Sequence, residues 1–248
     1  KDAGGTTDSA VARQWQWTIS LWKNMGLNSA AALAQARDDN ERVIAKIMAR
    51  YEERLSAYQS VDFDDLIGLP LKLLQQHDEV RQKWQQQLGH VLVDEYQDTN
   101  ATQYEVLKHI VGERGRFTAV GDDDQSIYGW RGATLDNLKR LPQDFPSLKV
   151  IKLEQNYRST GTILEAANAV ISRNTDRLGK KLWTSGAKGA PIRVYAAFND
   201  RDEADFVVNR IRDHVLRGGK RSDCAILYRS NAQSRAFEET LLAMRMPY

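Results

Sequence analysis

The sequence predicts an α/β protein with a mainly parallel sheet, preceded by a helical region. Two patterns carry this prediction. Over the first 60 residues, apolar residues recur at three- and four-residue spacing, as they do along the buried face of a helix. From about Val61 onward, short apolar runs alternate with stretches of helical periodicity, which is typical of strands and helices packed in layers.

The helical region is predicted to cover residues 1–60, after a loop from Lys1 to Ser9 that is rich in Gly, Thr and Asp. Its periodic apolar positions are Val11, Trp15, Ile19 and Trp22, and then Val43, Ile47, Tyr51, Leu55 and Tyr58. Because the periodicity accounts for the aromatic residues, we interpret them as core and helix packing in preference to a stripe that stacks on DNA.

The α/β region is predicted to begin with three short buried strands that deliver polar residues at their carboxyl ends, where open α/β sheets bind ligands. These strands are Leu88–Val93, Phe117–Val120 and Val150–Leu153. Thr99 or Asn100 is expected to cap a helix that ends at Gly112. A second α/β unit is expected to follow a helix over 161–172. Its predicted strands are Ile192–Ala196 and Cys224–Tyr228, and its predicted helices cover 203–216 and 232–244.

The composition excludes several classes of protein. Lys plus Arg number 35 against 33 Asp plus Glu, a balance too even to argue for nucleic-acid binding by charge alone. The single cysteine, Cys224, excludes a disulfide framework, and with only four scattered histidines a structural zinc site is not expected. This low cysteine content is typical of a cytosolic protein. No apolar run approaches the roughly 18 residues of a membrane span, so no membrane partner is expected.

Three motifs carry the functional signal, and they are Val91–Asp98, Gly121–Gly132 and Leu153–Ser159. In order and spacing they resemble the Walker B, third and fourth motifs of superfamily-one DNA helicases of the Rep, UvrD and PcrA type, and the Rep branch most. The resemblance extends to Asp62–Leu66 and Ala225–Arg229. It implies part of a RecA-like parallel-sheet motor domain with a helical insertion subdomain, followed by the start of a second RecA-like domain.

On this resemblance, residues 1–60 are a helical subdomain inserted in the first motor domain. Residues 61–155 are part of that first RecA-like domain, and residues 156–248 are the first part of the second. One departure is clear: the Gly-x-x-x-x-Gly-Lys-Ser/Thr phosphate loop is absent from the 248 residues. We interpret Gly179-Lys180-Lys181 and Gly219-Lys220-Arg221 as solvated turns. The chain is therefore expected to be an internal helicase fragment that is inactive alone and exposes a sheet edge.

An apolar strand that ends in paired acids can hold magnesium and polarise water beside a phosphoryl group. The resemblance makes Asp94 the magnesium ligand and Glu95 the base that orients the attacking water. Gln97 and Asp98 either contact ligand or cap the next helix. Gln125 resembles the family's sensor of the terminal phosphate. The acidic trio Asp122, Asp123 and Asp124 would repel phosphate, so we interpret these residues as mainly shaping the loop.

Aromatic and basic residues complete the set of predicted site residues. Tyr128 and Trp130 suit stacking on bases, each stack contributing about 1–3 kcal/mol without sequence preference, although composition alone would favour burial in the core. Arg131 could contact the DNA backbone or pair with an acid that links the DNA and nucleotide sites, and we favour the link. The resemblance makes Tyr157 an adenine stacker and Arg158 an arginine finger.

Asp62, Asp64 and Asp65 flank Phe63 in a pattern that the family shares. We interpret this stretch as structural, a helix start with Phe63 as an apolar anchor.

The resemblance implies a bacterial cytoplasmic helicase that moves 3′ to 5′ on single-stranded DNA and unwinds duplex. It would use ATP and Mg²⁺ and couple hydrolysis to domain closure. Its partners would be single-stranded DNA, duplex junctions and replication or repair proteins. Two alternatives stay open at this point: a subunit of a helicase-nuclease recombination machine, and a non-catalytic module that binds single-stranded DNA.

Overall fold

The computed structural model describes residues 3–248, and this part of the chain is mostly helical with a small two-stranded parallel sheet. The helices are α1 Ser9–Asn24, α2 Ser29–Gln35, α3 Asp39–Ala57, α4 Asp65–Gln76, α5 Asp78–Gln87, α6 Ala101–Val111, α7 Asp136–Asp144, α8 Gly161–Ile171, α9 Asp200–Leu216 and α10 Ser234–Ala243. The strands are β1 Val91–Val93 and β2 Phe117–Ala119. Of the predicted amino-terminal loop, Lys1 and Asp2 lie outside the described residues.

The chain forms two compact units. The first contains the residues up to Asn156 together with Ala167–Trp183, and the second contains Tyr157–Ala166 and Thr184–Tyr248. The domain limits predicted at residues 60 and 155 stay predictions. None of the helices within residues 3–248 combines the length and the apolar character needed to cross a membrane.

The first core of unit 1 lies among α1, α2 and α3. Its buried residues are Ile19, Trp22, Ala32, Ile44, Ala45, Ile47 and Met48, with Trp15 and Tyr51 packed against them. The core interpretation of these aromatics is thus confirmed. It is wrong for Tyr58, which is exposed and follows the last residue of α3. The periodic position Val43 is half exposed, because the buried stripe of α3 begins at Ile44.

The second core of unit 1 surrounds the sheet and α6. Strands β1 and β2 are parallel, with Val91 opposite Phe117 and Val93 opposite Ala119. Their buried neighbours are Tyr96, Tyr104, Leu107, Val111 and Leu141. Asn100 caps α6 and exchanges bonds with Gln103, and Gly112 ends the helix at φ +59°, so both predicted helix limits are confirmed.

Three predicted strands do not form. Val150–Leu153, Ile192–Ala196 and Cys224–Tyr228 make no strand ladder, and most of their apolar side chains are exposed, as for Val194 and Leu227 at 93% each. A strand is stable only when a neighbouring strand pairs with its backbone and a layer covers its side chains. Residues 3–248 supply neither for these runs, so the predicted larger sheet is reduced to β1 and β2.

Unit 2 is organised by the pair α9 and α10. Ala204 and Val208 of α9 and Phe237 and Leu241 of α10 are buried. Asn199 caps α9, which begins at Asp200, three residues before its predicted start, and the helix ends just before Gly218. The predicted helices of this unit are thus confirmed, while the strands predicted between them are wrong.

Candidate functional site

The carboxyl end of β1 presents two exposed carboxylates, Asp94 and Glu95. Glu95 adopts a left-handed backbone conformation at φ +49°, which costs a residue other than glycine about 1–3 kcal/mol. Its backbone N–H donates to Asp94 Oδ1 at 2.9 Å. The turn sends the next side chain, Tyr96, into the core at 1% exposure while both acids stay at the surface.

Gln97 joins this acid pair to the third motif. The side chain is buried, its Nε2 donates to Glu95 Oε2 at 2.6 Å, and its Oε1 accepts from the Asp122 backbone N–H at 2.9 Å. A Cβ on Gly121 would lie 2.8 Å from the same Oε1, which explains the glycine there. Gln97 therefore does not cap α6; it fixes the Glu95 carboxylate relative to the loop that carries Gln125.

Asp98 also does not cap the next helix, since Asn100 does so. Its backbone N–H donates to the Glu95 carbonyl at 2.9 Å, and its Oδ1 is buried without a hydrogen-bond donor among residues 3–248.

Gln125 lies in a single 3-10 turn, Asp123–Gln125, that follows β2. Its side chain is exposed, and its Nε2 donates to Asp122 Oδ2 at 2.8 Å. Its backbone N–H donates to the Asp122 carbonyl at 2.9 Å. The conformation of the Gln125 side chain therefore depends on the position of the Asp122 carboxylate.

The acidic trio is bound by a segment more than 50 residues away. Arg177 donates from Nε and Nη2 to the two carboxylate oxygens of Asp124 at 2.7 and 2.6 Å, and Lys180 Nζ contacts Asp122. The interpretation of Lys180 as a solvated lysine is wrong: its side chain is only 16% exposed, because three carboxylates attract it. Lys220 is exposed, as predicted for a solvated turn.

These ion pairs shift the titration of their members. The Arg177 hydrogen bonds, helped by the charge of Lys180 against a smaller effect of burial, hold the pKa of Asp124 below its ordinary value. Burial lowers the pKa of Lys180, but the hydrogen bond that Lys180 donates to Asp122 and the charges of the trio outweigh this effect and raise that pKa above normal. Asp124 is therefore held in its ionised form, paired with Arg177.

The carboxylates of the trio lie within 4.8 Å of one another and could geometrically surround a cation. Because Arg177 and Lys180 already occupy them, they fit a magnesium ion poorly. Asp94 fits better, since its carboxylate is exposed, hard oxygen donors suit magnesium, and one protein carboxylate with water and phosphate is a usual ligand set.

Tyr128, Trp130 and Arg131 form an aromatic platform on the surface of unit 1. The two rings lie 6.3 Å apart, and the Arg131 guanidinium lies 5.3 Å from the Tyr128 ring and 4.6 Å from the Trp130 ring. Trp130 is 51% exposed, so ordinary burial, which composition favoured, is wrong for these residues. Within residues 3–248 no ion pair of Arg131 is found, and its guanidinium stacks on the rings; its predicted link to an acid stays a prediction.

The end of α1 supports this platform, a role that no sequence spacing indicated. Gly132, at φ +86°, leaves room for Asn24, whose Cβ would lie 3.3 Å from a Cβ added there. Asn100 Nδ2 donates to Asn24 Oδ1 at 2.6 Å, and Ala133 pairs with Asn100 in an isolated bridge. The platform is thus tied to the cap of α6 and to the helical region.

Helix α4 begins at Asp65, so the helix start predicted for this stretch is confirmed, and Asp62 bonds to that first residue. The Asp65 N–H donates to Asp62 Oδ1 at 2.8 Å, the Asp62 N–H donates back to Asp65 Oδ2 at 3.1 Å, and Lys23 Nζ pairs with both carboxylates. Asp64 accepts from Asn24 at 2.9 Å. Phe63 is 90% exposed, so its interpretation as an apolar anchor is wrong: the reciprocal bonds around it turn the ring outward.

Tyr157 and Arg158 belong to unit 2, and both side chains are exposed, Tyr157 at 85%. Their predicted roles as adenine stacker and arginine finger stay predictions.

Comparison with known proteins gives two family matches. The family described as the UvrD/REP helicase N-terminal domain matches residues 2–146, and the UvrD-like helicase C-terminal domain matches residues 151–248. The chain is 49% identical over 242 residues to the ATP-dependent DNA helicase Rep of Escherichia coli, covering 97% of this chain and 36% of that protein.

Two further relatives agree. Identity is 48% to DNA helicase II of Escherichia coli and 44% to the ATP-dependent DNA helicase PcrA of Staphylococcus aureus, each over 236 residues. These alignments cover 95% of this chain and 33% and 32% of the relatives. The chain thus spans about a third of the length of the curated relatives it matches.

Proposed function

The chain belongs to the UvrD/Rep family of helicases, and on that premise we propose that it is part of an ATP-dependent DNA helicase that moves 3′ to 5′ on single-stranded DNA. The observation that carries the proposal is the link from Glu95 through the buried Gln97 to the loop of Gln125. This link connects a carboxylate suited to activating water with an amide suited to sensing phosphate.

In this proposal each residue has a chemical role. Asp94 would hold Mg²⁺, which when bound would neutralise charge on the phosphates of ATP. Glu95 accepts a proton from the attacking water, and Gln97 orients that carboxylate by its 2.6 Å hydrogen bond. Gln125 contacts the terminal phosphate.

The remaining residues act in recognition and charge stabilisation. Tyr157 stacks on the adenine, and Arg158 stabilises charge on the terminal phosphate as it leaves. Trp130 and Tyr128 stack on bases, and the Arg131 guanidinium stiffens the platform by lying over both rings. Stacking without base-edge contacts suits a motor that steps along any sequence, and we propose that ATP hydrolysis drives those steps through domain closure.

The test is Glu95→Gln in the full-length protein that carries this sequence. DNA-stimulated ATP turnover should fall at least about a hundredfold, the loss typical for a general base, while ATP binding survives. Glu113→Gln, which changes an exposed glutamate in the turn after α6, is the matched control and should leave turnover unchanged.

Full turnover in Glu95→Gln would remove Glu95 from its role. Single-stranded DNA binding by a wild-type protein without any ATP turnover would favour the non-catalytic module instead.

A further inference from the structure

Arg177–Lys180, which we call the cationic segment, binds all three carboxylates of the acidic trio. Arg177 pairs with Asp124 through two hydrogen bonds, the Leu178 backbone N–H donates to Asp123 Oδ2 at 2.7 Å, and Lys180 contacts Asp122. The paired side chains are at most 25% exposed. The contact is therefore built from several partly desolvated bonds, unlike an isolated surface ion pair.

Asp122 connects this segment to Gln125. One oxygen of its carboxylate, Oδ1, contacts Lys180 Nζ and accepts from the Asp124 backbone N–H at 3.0 Å. The other oxygen, Oδ2, accepts from Gln125 Nε2 at 2.8 Å. The Asp122 carboxylate thus lies between the Lys180 ammonium and the Gln125 amide. Displacing Lys180 removes one of the contacts that hold this carboxylate, and with it the Gln125 amide, in place.

The ion pairs of Arg177 and Lys180 also reduce the negative charge of the acidic trio. Three carboxylates that lie within 4.8 Å of one another repel an approaching triphosphate strongly unless cations neutralise them. Arg177 and Lys180 supply two positive charges against three negative ones, leaving one net negative charge. The trio follows β2, next to the loop that we propose contacts the terminal phosphate.

The contact also joins the two parts of the sequence that the family matches separate. Asp122 and Gln125 lie in the stretch matched by the N-terminal helicase domain, residues 2–146. Lys180 lies in the stretch matched by the C-terminal domain, residues 151–248, although it packs within unit 1.

We propose that Lys180 is a positioning residue for Gln125: through Asp122 it sets the Gln125 amide, and with Arg177 it removes negative charge that would repel ATP. The proposal rests on the proposed function, because it takes Gln125 as the residue that contacts the terminal phosphate. Lys180 itself touches no reacting atom. It acts on Gln125 through Asp122, so another cationic side chain at this position, such as arginine, should retain the positioning role.

The first experiment measures ATP turnover of the full-length protein with single-stranded DNA. Lys180→Met should raise KM for ATP about tenfold, because repulsion weakens ATP binding, and lower kcat several-fold, because Gln125 is no longer held. Lys180→Arg should restore most of both values. Lys181→Met, which removes the neighbouring exposed lysine, is the control and should change neither. A Lys180→Met protein with lower thermal stability but unchanged KM and kcat would overturn the proposal.

A second variant separates charge from packing. Asp122→Asn combined with Lys180→Met removes one negative and one positive charge, so KM should return toward the wild-type value while kcat stays low. A double variant whose KM stays as high as that of Lys180→Met alone would contradict charge compensation.

A third measurement does not depend on turnover. In ¹H–¹⁵N spectra of this chain, the Gln125 side-chain NH₂ signals, assigned with Gln125→Glu, should shift in Lys180→Met and stay in place in Lys181→Met. If these signals move but the wild-type protein hydrolyses no ATP, the positioning contact stands and the proposed function fails. If turnover is normal and the signals do not move, the positioning role fails and the proposed function stands.

Discussion

Two acidic groups lie at the carboxyl ends of the two strands, and their surroundings are opposite. Asp94 and Glu95, after β1, are exposed, and no described cation pairs with either. The trio Asp122–Asp124, after β2, is held by Arg177 and Lys180. The same carboxylate chemistry at neighbouring positions therefore has opposite surroundings: the pair is open to solvent, whereas the trio is bound by cations of the protein.

The largest effect should come from neutralising the available pair. We expect Asp94→Asn in the full-length protein to lower DNA-stimulated ATP turnover at least about a hundredfold, because the amide is a poor magnesium ligand. Folding should be unaffected, since Asp94 is exposed. Steady-state kinetics over a range of Mg²⁺ concentrations checks this expectation, and wild-type turnover at ordinary Mg²⁺ would place the metal elsewhere.

Neutralising the trio should instead affect stability. We expect Asp124→Asn to lower the free energy of unfolding of this chain by about 1–3 kcal/mol, because it leaves the Arg177 guanidinium without its two charged hydrogen bonds. Asp94→Asn is the matched control and should change stability by less than about 0.5 kcal/mol. Urea unfolding followed by circular dichroism measures both, and equal values for the two variants would contradict the comparison.

The aromatic platform tests whether exposure by itself marks a binding residue. Trp130 and Trp17 are exposed almost equally, at 51% and 53%, but only Trp130 lies in a motif. We expect Trp130→Ala to weaken binding of single-stranded DNA by about 1–3 kcal/mol, through loss of one base stack. Trp17→Ala should leave affinity unchanged. Fluorescence anisotropy of a labelled oligonucleotide, titrated with the full-length protein, distinguishes the two variants. Equal losses of affinity would mean that the platform has no special role in DNA binding.

The smallest expected effect is the pH dependence of the stability that Asp124 contributes. The pKa of Asp124 is lowered in the folded chain, so its contribution to stability is complete above its unfolded pKa of about 4 and is lost as pH falls through the lower folded value. The stability difference between wild type and Asp124→Asn should therefore shrink as pH falls below about 4. Urea titrations at several pH values measure it, and a difference that is constant down to pH 3 would exclude the ion pair as its source.

Local features of the fold were predictable from sequence because neighbouring residues produce them. The helical spacing around Ile19 and Trp22 and the cap at Asn100 depend on contacts only a few positions away. The motifs also indicated the helicase family, which the family matches confirm, while the roles of the motif residues stay predictions. What failed were runs such as Val150–Leu153, where apolar character predicted a strand but no neighbouring strand pairs with it.

The sequence by itself determined the helical character of the amino-terminal region, the helices α6, α8, α9 and α10, the cap of α6, the two strands that pair and the family to which the chain belongs. Only the tertiary structure decided which partners bind the acidic residues. The contact of Lys180 with Asp122 spans 58 positions, and the link from Gln97 to Asp122 spans 25. Neither has a periodic or local signal, because the contact depends on where the folded chain brings two loops together. Charge and shape in three dimensions select such partners, and residue spacing cannot.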